Sequence, residues 1–183
     1  RQRQMCIRDS IHTDTPDRLF FSMRKHGALK QQKADDMKRQ VDVCRRRLNS
    51  VAILTDSTCD LPAEFMDEHQ IHTVPLRLAF GDSVFIDKVT ISSDQFYTLL
   101  EESREKPVSS QPTIADFERT YRFLLEHYES VVAVHLASKL SGTWNASRVA
   151  AEKTGGKITV IDAKTTSASL GLLVMRAAMA LRD

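Results

Sequence analysis

From Val51 onward, short apolar runs alternate with stretches of helical spacing, and this alternation constrains the fold more than any other feature of the chain. Three of the runs, Val51–Leu54, Val131–Leu136 and Ile158–Ile161, are rich in strand-forming residues and show little alternation of apolar and polar side chains. Such strands are typical of a sheet covered on both faces, and parallel neighbours need long crossovers, usually helices, between them. The alternation predicts an α/β fold with a mainly parallel sheet flanked by helices.

The segments between these runs contain signals for turns and helix starts. Thr113, followed three positions later by an acidic residue, has the pattern of a capping box at the start of a helix. Ile71–Phe80 contains a further predicted strand, His72–Leu78, in which Pro75 favours a strand end or an edge position. Gly81-Asp82 predicts a turn and Pro107–Pro112 predicts a loop.

The distribution of charge predicts how the chain is divided. The first 50 residues carry a net charge of +7 and the remainder −5, although the whole chain has a formal charge of only +2. We expect residues 1–15 to be non-native or disordered, residues 16–50 to form a helical linker and residues 51–183 to form the domain. Apolar residues at helical spacing in the linker predict a stripe that docks on a neighbour, formed by Met37, Val41, Cys44 and Leu48.

Several classes of protein are excluded by composition. The three cysteines are odd in number and have no CxxC spacing, which disfavours a disulfide scaffold and a structural zinc site. No apolar stretch approaches the roughly 18 residues of a membrane helix, and no secretion signal is present. The basic segment lacks the interspersed aromatic residues that stack on nucleic-acid bases. We therefore expect a cytoplasmic protein without stable membrane insertion and without a nucleic-acid partner.

Three loops of the domain are rich in hydroxyl side chains, namely residues 55–58, 109–113 and 138–143. In α/β folds ligands bind outside the carboxyl ends of the strands. Hydroxyl groups and helix-start N–H groups that converge there would form an anion site rich in hydrogen-bond donors. The alternative is that these residues only cap helices, in which case the domain would be an interaction module. The residues alone leave both interpretations open.

The residues also allow enzymatic interpretations. Asp56, at the end of the first predicted strand, could accept a phosphoryl group or bind Mg²⁺, with Asp162 as its one candidate partner. This alternative function is a Mg-dependent phosphoryl-transfer or phosphatase domain. Ser103 and Lys106 have the SxxK spacing of serine acyl transferases, but the companion motifs of that class are absent. His135 lies within an apolar run and is predicted to be a hydrogen-bonded core histidine.

Five segments of residues 51–183 occur in the order in which a known family has them: ILTDSTCDLP, TVPLRLAFGD, FYTLLEESREKPVSSQPTIADFERTY, HLASKLSGTWNAS and ITVIDAKTTSASLG. This part of the chain resembles the first, larger half of DegV-family fatty-acid-binding proteins. The resemblance implies a parallel α/β domain and a smaller second domain that close over a buried acyl chain. It also implies a carrier that needs no cofactor and catalyses nothing itself.

The resemblance places the family's two main head-group hydroxyls on Ser109 and Ser141. The usual residue at the first position is Thr, and because Ser retains the hydroxyl we expect the contact to be retained. No catalytic residue and no metal ligand is implied. Less central donors are expected at Ser110, Ser138 and Thr143.

A fatty acid also needs an apolar tunnel, since each buried methylene contributes about 0.8 kcal/mol. The lining is predicted to include Leu76, Leu78, Phe80, Phe96, Leu140 and Leu172.

The resemblance further implies that the bound acid is presented to an ATP-dependent fatty acid kinase, which makes an acyl phosphate. The family's second domain is missing after Asp183, so we expect an incomplete, truncated domain. Residues 16–48 resemble the connector behind a fused dihydroxyacetone-kinase-like domain, which would place kinase and carrier on one chain.

Overall fold

Two sheets form the scaffold of the structure, a computed structural model that describes residues 10–182. Their strands are β1 (Val51–Asp56), β2 (His72–Val74), β3 (Arg77–Phe80), β4 (Ser83–Ile86), β5 (Val108–Ser110), β6 (Ser130–His135) and β7 (Ile158–Asp162). The first sheet is parallel, in the order β2-β1-β6-β7, and the second is antiparallel, in the order β4-β3-β5. The predicted mainly parallel α/β architecture is confirmed.

Helices cover both faces of the parallel sheet. The helices of the described residues are α1 (Pro16–Met23), α2 (Met37–Arg46), α3 (Ala63–Glu68), α4 (Ser93–Glu102), α5 (Ile114–His127), α6 (Thr143–Thr154) and α7 (Ser167–Met179), of which α1 and α4 pack beside the small sheet. One apolar cluster joins α5 and α6 to the sheet through side chains such as Phe117 and Tyr121. A second cluster packs α3 and α7 on the opposite face through Leu170 and Val174. Apolar burial on both faces explains why the strands carry almost continuous apolar sequence.

The small antiparallel sheet begins where the chain leaves the parallel sheet at Pro75. This residue has no N–H to donate, and β2 ends just before it, as the sequence predicts. The predicted strand His72–Leu78 is divided in the structure, because the residues after Pro75 form β3 in the other sheet. A hairpin then joins β3 to β4 through Gly81, whose φ of 56° lies in the left-handed region that favours glycine.

The predicted loop at Pro107–Pro112 contains a strand. Residues Val108–Ser110 form β5, which pairs antiparallel with β3 and places Ser109 opposite Leu78 and Ser110 opposite Arg77. Three residues are too few to show a period-two pattern, so this strand is defined by its partner and not by its own sequence.

The segment before the domain contains two helices, α1 and α2, joined through a short 3₁₀ turn and extended backbone. The predicted docking stripe on α2 is wrong, because Met37, Val41 and Leu48 are 60%, 49% and 54% exposed. The helix instead contacts the domain through its opposite face, where Val43 is buried.

Residues 1–9, which make up most of the segment predicted to be non-native, lie outside the described range. Among residues 10–182, no helix has the length and apolarity of a membrane span.

Candidate functional site

Asp56, the acid of the enzymatic alternative, is fully buried at the end of β1 and accepts hydrogen bonds on both carboxylate oxygens. Oδ1 accepts from the Thr58 backbone N–H at 3.0 Å and from the Thr58 hydroxyl at 2.6 Å. Oδ2 accepts from His135 Nδ1 at 3.1 Å and from the Leu136 backbone N–H at 3.0 Å. Burial raises the pKa of Asp56, but the hydrogen bond and charge of His135 and the other donors outweigh it, and the net pKa lies below its usual value. The carboxylate therefore links β1 to β6, and His135 is the hydrogen-bonded core histidine predicted.

The loop that follows β6 carries Ser141 into the start of α6. Two hydrogen bonds to the Ala137 carbonyl, from the N–H of Leu140 and that of Ser141, fold the loop back on itself. The Ser141 hydroxyl lies 2.9 Å from the Thr143 hydroxyl and accepts the Thr143 N–H at 3.3 Å. Thr143 is fully buried whereas Ser141 is only half-buried, so Thr143 holds the outer hydroxyl in place.

Ser138, in the same loop, is engaged by Asp162 at the end of β7. Its hydroxyl donates to Oδ2 at 2.6 Å and its N–H donates to Oδ1 at 3.1 Å. The hydrogen bond from the Ser138 hydroxyl, followed by the Lys164 N–H, lowers the pKa of Asp162. Because the Ser138 hydroxyl already donates its hydrogen bond to a carboxylate, Ser138 is a weaker donor to a ligand than Ser141. Asp162 pairs in this way with the loop, and its bonds do not include Asp56.

Ser109 and Ser110 lie on β5 and are both exposed. Because successive residues of a strand point to opposite faces, the two hydroxyls lie on different faces of the small sheet. Ser110 shares its face with Arg77, and Ser109 shares its face with Leu78 and Phe85. Arg77 is itself paired with Asp116 at 2.9 Å, which offsets its charge.

The loops that carry Ser109 and Ser141 meet, although they come from different sheets. Gln111 packs its side-chain amide against Gly142, and a Cβ atom at Gly142 would overlap the Gln111 side-chain oxygen. Only glycine allows this approach without displacing Gln111. The sequence analysis missed this contact, although a glycine between two hydroxyl residues at a helix start was a possible signal.

Helix capping explains some of the predicted hydroxyl loops but not all of them. Thr113 caps α5 in a capping box, and the residues around Asp56 are engaged within the domain. In contrast, α6 and α7 begin at the carboxyl edge of the parallel sheet with no side-chain cap and no acidic residue in the first turn. Uncapped N–H groups at a helix start favour an anion. The start of α6 therefore offers backbone N–H groups to an anion beside Ser141, whereas at the start of α7 the Ser167 hydroxyl already donates to the Asp60 carboxylate.

The predicted tunnel lining separates into two groups. Leu76 and Phe80 are buried, and Leu78 and Phe96 are half-buried in the cluster beside the small sheet. Leu140 and Leu172 are 67% and 63% exposed. One pocket of the described residues is lined by residues such as Asn49, Tyr128 and Leu181, and another by residues such as Asp36, Arg39 and His72; neither is lined by Ser109 or Ser141. Within residues 10–182, no three His, Cys, Asp or Glu side chains are grouped as metal ligands would be.

Comparison with known proteins gives consistent results. A family profile described as "Uncharacterised protein, DegV family" matches residues 50–183. A DegV domain-containing protein of Deinococcus radiodurans is 38% identical over 133 residues, which cover 73% of this chain and 47% of the relative. A solved structure shows the fatty acid binding of a DegV family protein from Thermus thermophilus. It superimposes on this chain with a TM-score of 0.67 and 32% sequence identity, and the match covers 72% of this chain and 47% of that one.

A third likeness concerns the fold alone. The Streptococcus pneumoniae fatty acid kinase B3 protein, solved with linoleic acid, has a TM-score of 0.60 and 24% identity over 70% of this chain and 47% of its own. In all three comparisons this chain spans about half the length of the matched protein.

The parallel sheet, with a small antiparallel sheet and hydroxyl loops beside it, defines the class as an α/β domain of the type found in these solved proteins. Since the family profile covers well over half of the residues, the chain belongs to the DegV family.

Proposed function

We propose that this chain binds a long-chain fatty acid, with the carboxylate held by the hydroxyls of Ser109 and Ser141. The contact between Gln111 and Gly142 carries the proposal, because it brings the two serine-bearing loops together at the start of α6. Thr143 serves as a supporting donor beside Ser141. Ser110 contributes less because its side chain lies on the other face of the small sheet from Ser109, and Ser138 contributes less because its hydroxyl already donates to Asp162. The fatty acid binding of the Thermus thermophilus relative supports the same ligand class.

The two parts of a fatty acid match the two parts of this surface. A buried carboxylate needs hydrogen-bond donors, and each hydrogen bond to a charged group contributes about 1.5–3 kcal/mol. The acyl chain needs apolar surface, and Leu140, next to Ser141, and Leu172 of α7 are exposed apolar side chains that could provide it. The phosphoryl-transfer alternative fits less well, because Asp56 is fully buried and both of its oxygens already accept hydrogen bonds.

The head-group assignment is tested by replacing each serine. Ser109→Ala and Ser141→Ala should each weaken the binding of a long-chain acid by about 10- to 100-fold, while the methyl ester of the same acid binds as before. Ser50→Ala, an exposed serine just before β1, is the matched control. Binding is measured by native mass spectrometry and by titration with a fluorescent fatty acid.

Because the chain spans about half of its relatives, the same variants are also measured in a hybrid protein. In the hybrid, residues 16–183, which keep the segment before the domain, replace the corresponding half of the Thermus thermophilus protein. If neither the chain nor the hybrid retains a fatty acid, or if both serine variants bind like the control, the proposed function is wrong.

The proposal extends to presentation of the bound acid to a kinase. The kinase would transfer the γ-phosphoryl group of ATP to a carboxylate oxygen, giving an acyl phosphate and ADP, and this chain would supply no catalytic group. Hydroxyl donors suit this role because they hold the carboxylate without a buried cation competing for it. A protein of the same fold is named as part of a fatty acid kinase, which supports this role. Acyl phosphate formation by a purified bacterial fatty acid kinase, with and without the loaded chain, tests it.

A further inference from the structure

The segment of residues 16–32, here called the strap, packs along the small antiparallel sheet that carries Ser109. Phe21 and Leu29 of the strap pack against an apolar cluster formed by Phe80, Phe85, Ile91 and Leu99. Two polar contacts tie α1 to α4, from Gln95 to Asp17 at 3.1 Å and from Arg24 to Glu102 at 3.0 Å. The strap is therefore in contact with both the sheet and the helix that follows it.

The strap also closes the outer edge of β4. The Val84 N–H donates to the Leu29 carbonyl at 2.7 Å, and the Leu29 N–H donates to the Ser83 hydroxyl at 3.2 Å. The Val84 carbonyl accepts from Gln32 Nε2 at 2.6 Å. An edge strand that would otherwise expose its N–H and C=O groups is thus paired with the strap.

Gln32 has a second partner inside the domain. Its Oε1 accepts a hydrogen bond from the Thr90 hydroxyl at 2.5 Å, and Thr90 is fully buried. The same hydroxyl accepts the Ile86 N–H at 2.7 Å, at the end of β4. One carboxamide therefore fixes both the middle of β4 and the turn that follows it. Removing it leaves a buried hydroxyl and a strand carbonyl without this partner.

The strand β4 is connected to Ser109 through the pairing of β4 with β3 and of β3 with β5. Phe85 of β4 lies opposite Leu78 of β3, and Leu78 lies opposite Ser109 of β5. The three residues occupy one row across the sheet, and β5 is only three residues long. Its placement depends on β3, which in turn depends on β4.

We propose that Gln32 is a positioning residue for the head-group hydroxyl of Ser109, acting through β4 and β3. This inference rests on the proposed function. It assigns to the basic segment a role in selecting the carboxylate group of the ligand, at a position outside the residues matched by the family.

The test uses the ratio of affinities for a long-chain acid and for its methyl ester. General loosening of the domain weakens both ligands alike, whereas misplacement of Ser109 weakens only the acid. Gln32→Ala should lower this ratio by about tenfold, which is part of what loss of a hydrogen bond to a charged group produces. Gln31→Ala, the exposed neighbour, is the matched control and should leave the ratio unchanged.

A double variant separates action through Ser109 from an independent effect. In a Ser109→Ala background, Gln32→Ala should lower the ratio no further, because the group that it positions is already absent. Gln32→Glu keeps the acceptor for Thr90 but places an oxygen against the Val84 carbonyl in place of the N–H donor. It should therefore also lower the ratio, and it provides the test if Gln32→Ala folds poorly. Hydrogen exchange of the unliganded protein should rise at β3 and β4 in Gln32→Ala.

An unchanged ratio in Gln32→Ala, or a further loss on top of Ser109→Ala, overturns the inference. Failure of the proposed function appears differently, because the wild-type chain and hybrid would then show no preference for the acid over its ester.

Discussion

At the scale of single residues, Asp56 accepts hydrogen bonds from a side-chain hydroxyl, an imidazole and two backbone N–H groups, all within the domain. An aspartate at the end of a parallel strand is a common position for phosphoryl or metal chemistry, and the sequence could not show how many donors surround it. The structure shows a carboxylate that joins the ends of β1 and β6 beneath the loop that carries Ser141. We infer that its main contribution is to stability.

Asp56→Asn should lower the free energy of unfolding at neutral pH by about 3 kcal/mol, because the new amide group faces donors and leaves buried groups unpaired. Since burial is outweighed by these donors, the folded pKa lies below the unfolded value of about 3.9. The stabilisation is therefore complete above that pH and is lost as the pH falls through the folded pKa. Urea unfolding of the wild type should show this acid-dependent loss, and the variant should show less of it. Asp82→Asn, on the exposed hairpin turn, is the control, and equal effects of the two variants would contradict this role.

At the scale of the elements, the sequence predicts those that have their own local signal. The apolar runs at β1, β6 and β7 and the capping pattern at Thr113 correspond to observed strands and a capped helix. The strand β5 has no such signal, because its pairing with β3 defines it. The orientation of α2 was predicted wrongly because contacts with other elements, and not its own apolar spacing, determine which face meets the domain. Arg39 binds Asp67 and the Ile71 carbonyl, and these contacts turn the polar face of α2 toward the domain.

The candidate site was also predictable only where its residues have a local sequence signal. The positions of Ser109 and Ser141 in recognisable motifs made them predictable from the family resemblance. Their roles stay predictions, whereas the contact that joins their loops, Gln111 against Gly142, depends on how the two sheets pack. Neither segment has a periodic pattern that indicates how the sheets pack, so the sequence could not predict this contact.

Asp116 connects two elements and gives a prediction at this scale. Its carboxylate accepts from the Thr113 N–H and hydroxyl and from Arg77 of β3, so it caps α5 and ties that helix to the small sheet. Asp116→Ala should lower the free energy of unfolding by about 1–2 kcal/mol, the usual range for loss of a helix cap. Glu126→Ala, on the exposed side of the same helix, should change it little. Thermal and urea unfolding compare the two, and equal stability of both variants would show that the cap and ion pair contribute nothing.

At the scale of the whole molecule, the chain combines a well-packed core with several apolar side chains that are exposed. Val108, Leu140 and Leu172 are all more than 60% exposed, and they belong to β5, to the loop of Ser141 and to the second turn of α7. Because the chain spans about half of its relatives, these side chains can be covered by a ligand and by the part of the protein that the relatives have in addition.

Leu140→Gln and Leu172→Gln should separate ligand affinity from stability. The two side chains bury little area in the free protein, so each variant should unfold at nearly the wild-type temperature. If the acyl chain lies on this surface, each variant should bind stearic acid about tenfold more weakly, because part of the contribution of a buried leucine is lost. Binding of octanoic acid should change less, since a shorter chain covers less of the surface. Met179→Gln, 51% exposed at the far end of α7, is the control. Equal losses for both acids, or a loss in the control, would place the acyl chain elsewhere.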